Sequence, residues 1–156
     1  MATQTYVALA TTTLAGGETE VTFSSIPATY RDVVLVIAGS SSTASGLEAK
    51  INGSTANMST VYMYGDGASA SSGSATGVAV IGQIDSGGGV STTHFLDYSA
   101  TDKHKTFLTR GSRAGGIVIA YANRWAQTTA INSIAMVMQA GSLNSGTVIS
   151  LYGIEA

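Results

Sequence analysis

Cysteine is missing from this 156-residue chain, proline occurs once, and only 10% of residues are charged, against about 25% in an ordinary soluble domain. Without cysteine there is no disulfide staple, no thiolate nucleophile and no Cys-ligated zinc. Sustained helical periodicity is missing too: no segment repeats apolar residues three and four apart behind a capping residue. The first basic residue is Arg31, so no positive n-region is visible, and the sequence predicts no signal peptide and synthesis in the cytoplasm. Trp125 to Ile154 is free of charge and long enough to cross a membrane. Gln127, Asn132, Gln139 and Asn144 interrupt it, however, and no membrane helix is expected.

Ser, Thr, Gly and Ala fill more than half of the positions, yet mean hydropathy is only +0.25. Such a surface holds water through hydroxyls and backbone rather than through charge. With a net charge of −2, self-repulsion is weak, which suits a protein that sits against copies of itself. A monomer solubilised by Ser and Thr is the alternative. The charges are also segregated. Residues 1–102 hold Arg31 and Lys50 against eight acids, a net of −6, while residues 103–156 hold five cations against Glu155, a net of +4. Those cations, Lys103, Lys105, Arg110, Arg113 and Arg124, are the candidate interface, facing acids of a neighbouring subunit. Scattering of the same charges over several faces of a twisted sheet is the plainer reading.

Short runs of β-branched and aromatic residues recur between Gly, Ser and Asn clusters. They predict strands over residues 6–14, 20–23, 32–38, 47–51, 61–64, 78–84, 93–98, 105–110, 116–121, 133–139 and 147–152. Asp-Val-Val-Leu-Val-Ile-Ala, from Asp32, is apolar on both faces and suits a central strand. Pro27 ends strand pairing before it. Residues 65–77 are rich in Gly, Ser and Ala and read as a mobile excursion. The expected fold is a single all-β domain over 1–156, an antiparallel β-sandwich of the jelly-roll kind, with an up-and-down barrel as the alternative. The closing strand should lie inside a sheet, with Ile149 and Leu151 in the core and Tyr152 nearer a rim.

No catalytic constellation stands out. His94 and Asp97 are three apart in a predicted strand and leave it on opposite faces, and no Gly-x-Ser-x-Gly elbow exists. Asp66, Asp85, Asp97 and Asp102 are isolated, unlike the closely spaced carboxylates of a calcium loop. Gly65-Asp-Gly is a partial glycine fingerprint with no helix after it. Asn52 and Asn57 match the glycosylation pattern, which means little without a secretory signal. The cluster around Lys103 lacks the stacking aromatics of a nucleic-acid surface, and the chain is net acidic. Tyr62 and Tyr64 share a strand face beside the glycine-rich stretch. They form either a sugar platform or a packing pair. The sequence thus predicts no enzyme, cofactor, metal, nucleic-acid or membrane function.

Several stretches taken together resemble one group of proteins. They are Phe23-Ser-Ser-Ile-Pro-Ala-Thr-Tyr-Arg-Asp-Val-Val-Leu-Val-Ile, Ile51-Asn-Gly-Ser, Tyr62-Met-Tyr-Gly-Asp-Gly, Lys103-His-Lys-Thr-Phe-Leu-Thr-Arg-Gly, Asn123-Arg-Trp-Ala-Gln-Thr-Thr-Ala-Ile-Asn-Ser-Ile and the ending Ser-Gly-Thr-Val-Ile-Ser-Leu-Tyr-Gly-Ile. The group is the small β-sandwich virion structural proteins of tailed bacteriophages. The resemblance implies a virion component made in the host cytoplasm, either a capsid decoration (cement) protein or a tail or fibre component. With the composition it predicts a symmetric homo-oligomer, first a trimer, that contacts the major capsid protein or other virion proteins. A tail or fibre module binding host glycans through Tyr62 and Tyr64 is the rival expectation.

Overall fold

β-Branched and aromatic runs become strands, and no helix forms among residues 5–155, the part of the chain described by the computed structural model. Twelve strands follow in order. They are β1 Tyr6–Thr13, β2 Glu20–Phe23, β3 Asp32–Gly39, β4 Ser45–Ile51, β5 Met58–Gly65 and β6 Ala70–Thr76. Then come β7 Val80–Ile84, β8 Gly89–Leu96, β9 Lys105–Arg113, β10 Ile117–Trp125, β11 Ile134–Met138 and β12 Val148–Ile154. All pair antiparallel in two packed sheets. The larger has the order β1-β12-β3-β8-β9-β10-β5-β6 and the smaller β2-β11-β4-β7. The protein is a β-sandwich.

The core lies between the sheets. Leu35 and Ile37 of β3, with Phe95 and Phe107 on β8 and β9, face Leu47 and Ile51 of β4, Ile81 of β7 and Ile134 of β11, all essentially without solvent contact. Phe95 and Phe107 are cross-strand partners whose rings stack at 4.7 Å, a pairing that adds to the burial itself. β12 runs between β1 and β3, and Ile149 and Leu151 are buried in it while Tyr152 is half-exposed beside Tyr6. Gly153 has no side chain because the Tyr30 ring occupies that space. A β-carbon there would come within 2.5 Å of the ring.

Residues 65–77 differ from expectation. They hold β6, joined to β5 by a tight turn in which the Asp66 carboxylate accepts hydrogen bonds from the Ala68 and Ser69 amides and the Ser69 hydroxyl. Ala-Ser-Ser-Gly-Ser-Ala-Thr has almost no strand propensity of its own. The β5 ladder imposes the conformation. The result is a sheet that extends past its partner: β10 still packs against β7, the edge of the smaller sheet, and β5 and β6 lie beyond it. That overhang makes the site.

Candidate functional site: a tyrosine-lined groove at the overhang

Alternation along β10 sends Ile117, Ile119, Tyr121, Asn123 and Trp125 inward and Val118, Ala120, Ala122 and Arg124 outward. Opposite Tyr121 on β5 lies Tyr62, opposite Ile119 lies Tyr64, and opposite Asn123 lies Thr60. Among the described residues no strand of the smaller sheet lies beyond β7 on this inner face. The uncovered part forms a groove of about 430 Å³ lined by Tyr62, Tyr64, Tyr121, Thr60, Gln83 and Arg113 among others. That volume lies in the lower part of the roughly 300–1,000 Å³ typical of small-molecule sites.

The wall between groove and core is fastened from β7. Gln83 Nε2 donates to the Tyr121 hydroxyl at 3.1 Å, and Asn123 Nδ2 donates to the Val80 carbonyl at 2.9 Å. The Tyr62 and Tyr64 rings are nearly parallel, 23° apart with centroids 6.5 Å apart. Tyr121 tilts at 54° against Tyr62 at 5.9 Å. Tyr62 and Tyr64 are half-buried. Burial pushes the Tyr121 hydroxyl up to about 12; the Gln83 hydrogen bond lowers it, Tyr62 raises it and the Arg113 charge lowers it. Tyr121 is therefore a neutral hydrogen-bond donor at physiological pH.

Two residues that line the groove carry buried polar atoms without a protein partner, Thr60 Oγ1 and Arg113 Nε, and Asn123 Oδ1, opposite Thr60 on β10, has none either. Buried polar groups are almost always paired, so each of these atoms calls for water or a ligand. Arg113 is only loosely engaged, with Nη1 3.7 Å from Asp85 Oδ2. The Asp85 carboxylate is already occupied by the Gly87 and Gly115 amides at 2.9 Å each.

The basic segment does not act as a unit. Strand alternation sends Arg110 and Arg124 to the outer face of the large sheet, and Lys105 and Arg113 inward. Lys105 must be withdrawn from the candidate interface. It is 1% exposed, and its Nζ donates to the carbonyls of Lys103 and Thr128 at 3.0 and 3.1 Å. Burial pushes its ammonium below the ordinary lysine range. Lys103 is exposed and pairs with Asp97 of the same chain at 3.3 Å, and Arg124 Nη2 lies 2.8 Å from His104 Nδ1. Part of the charge asymmetry is thus neutralised within the chain. The inward positions were legible as every second residue of Lys-Thr-Phe-Leu-Thr-Arg-Gly-Ser-Arg.

His94 contacts Asp32 rather than Asp97, at 3.2 Å. Asp32 is buried and also accepts from Arg31 Nε at 2.9 Å and from the Asp97 amide at 2.8 Å. Among the described residues no three His, Asp or Glu side chains converge as metal ligands. Sequence reasoning singled out Tyr62 and Tyr64 but missed Tyr121, Gln83, Thr60 and the groove role of Arg113. The alternation of Ile-Val-Ile-Ala-Tyr-Ala-Asn from Ile117 carried the signal for Tyr121. Nothing local pairs residue 83 with residue 121.

No family model and no curated protein matches the chain. Among solved structures it is similar to an exo-inulinase from Aspergillus awamori, with 14% identity and a TM-score of 0.48 over 96% of this chain. The chain spans 29% of that enzyme's length.

Proposed function

We propose that the chain is a non-enzymatic β-sandwich component of a tailed-bacteriophage particle that decorates or cements the capsid. The outer face of the eight-stranded sheet carries this reading. Val61 and Leu108 flank Ala122, and Met63 lies beside Ala120, in one connected apolar patch. Val61 is 60% and Met63 65% exposed, with Val118 and Leu108 also open and Arg110 and Arg124 at its margins. Contiguous apolar surface of this kind is typical of a protein meant to be covered. The few charges on the chain allow close subunit contact, and the phage-like sequence stretches supply the particle.

The particle form is a symmetric homo-oligomer, first a trimer, bound to the major capsid protein, with no nucleic-acid or membrane partner. It is made in the host cytoplasm and resides in the virion. Weak contacts repeated over many copies then hold the shell together. A jelly-roll description is part of this proposal. Its support is the strand order β1-β12-β3-β8 over β2-β11-β4-β7, to which the β5–β6 and β9–β10 hairpins add an extension.

Antibody labelling and cryo-electron microscopy of purified particles test the assignment. Density on the capsid at oligomeric positions is expected. Signal confined to the tail overturns the capsid role, and absence from the particle overturns the whole assignment. A tail or fibre module that binds host glycans is the second reading, and the tyrosine groove favours it.

A further inference from the structure

The groove at the overhang combines features that select one class of ligand. Its platform is two nearly parallel tyrosine rings, Tyr62 and Tyr64, each on a partly exposed residue. Its margin carries hydrogen-bonding groups with unused capacity. Thr60 Oγ1 and Arg113 Nε are buried without partners. The Tyr121 hydroxyl accepts from Gln83 and still has its own hydrogen to give. A purely apolar occupant would leave these groups unpaired, at a cost in affinity. A pyranose ring answers both demands, with a C–H face to lie on the tyrosines and hydroxyls around its rim.

Charge narrows the class. Among the described residues Arg113 is the one charged side chain that lines the groove. Its closest acid, Asp85, stands 3.7 Å away and is already held by two backbone amides, so most of the guanidinium's donors are free. A planar fork of that kind matches a carboxylate. We propose that the groove binds a carboxylate-bearing saccharide, with its ring on the Tyr62–Tyr64 platform and its carboxylate on Arg113. The inference rests on the glycan-binding reading and is independent of where on a particle the protein sits.

Two glycines shape the cradle. At Gly73 a β-carbon would overlap the Tyr62 ring, and at Gly46 one would overlap the Gln139 side chain, another lining residue. The absence of both β-carbons keeps these side chains in place along the groove wall.

The test is calorimetric titration of the full chain with two matched pairs, sialyllactose against lactose and digalacturonate against digalactose. At least one acidic member is expected to bind at millimolar or better affinity and several-fold more tightly than its neutral counterpart. Tyr64→Ala should weaken that binding about ten-fold or more. Arg113→Gln should remove the acidic preference, and Arg113→Lys should restore part of it. Met63→Ala, on the opposite face, should change nothing, and circular dichroism of each variant separates lost binding from lost fold. Equal affinity for acidic and neutral members overturns the carboxylate assignment while leaving a glycan site. Binding undiminished by Tyr62→Ala and Tyr64→Ala overturns the groove. No binding by any of the four saccharides overturns the glycan reading itself, and the particle assignment then stands or falls by its own labelling experiment.

Discussion

The Tyr62 ring lies across Gly73 of the neighbouring strand so closely that a β-carbon at residue 73 would sit 2.6 Å from its hydroxyl oxygen and 2.8 Å from Cζ. Glycine at this position fixes the tilt of the ring. Because β6 is an edge strand, Gly73→Ala should leave the fold intact and cost no more than about 1–2 kcal/mol. The expected result is displaced Tyr62 ring resonances in NMR spectra with backbone shifts elsewhere unchanged. Unmoved ring resonances would show that Gly73 does not set the ring.

Lys105→Ala should destabilise the protein by about 2–4 kcal/mol, since it opens a cavity and leaves the carbonyls of Lys103 and Thr128 without their donor. Lys105→Met keeps the volume and removes a buried charge, so it should cost less than the alanine variant. Urea denaturation reads both. An alanine variant as stable as the parent would mean that the two carbonyls find other partners at no cost.

Acid should weaken the fold through Asp32. Burial by itself would raise its carboxyl, but the Asp97 amide, Arg31 and His94 together hold it below the usual value of 3.8. A group with a depressed folded pKa contributes stability above its unfolded pKa and loses it as pH falls through the folded pKa. The contribution should therefore be complete above about pH 5 and disappear as pH drops below 3.8 towards the folded value. Asp32→Asn should flatten that acid limb in urea midpoints measured against pH. A limb of unchanged slope would assign it to other carboxylates.

Leu151→Ala should cost about 2–5 kcal/mol, a large part of the net stability of a domain this size, because Leu151 is buried at the centre of β12. Deleting residues 147–156 should abolish the β signal in circular dichroism. A truncated chain that stays soluble and folded would show that the larger sheet closes without its second strand.

Much of the sandwich was legible because burial and alternation coincide in its strands. Asp32–Gly39 is apolar on both faces and became a central strand, and Ile149 and Leu151 landed in the core as their parity required. β6 was not legible, since its own residues do not favour a strand and only the β5 partner makes it one. Lys105 misled through its charge, although its parity with Phe107 pointed inward. For the groove, Tyr62 and Tyr64 could be read from one strand. Tyr121, Gln83 and Arg113 join them only through the pairing of β10 with β5 and the docking of β7 beneath, contacts between distant segments that no local pattern encodes.

Placing β12 between β1 and β3 has a kinetic consequence. During synthesis β1 and β3 emerge early, yet neither finds its shared neighbour until residues 148–154 have left the ribosome. The smaller sheet waits in the same way, because β11 separates β2 from β4. Local hairpins such as β5–β6 and β9–β10 can form first, but the two-sheet core cannot close until late. Pairings this distant along the chain fold slowly, on the order of milliseconds to seconds once all the strands are present. Until then the apolar inner face of β3 stays open.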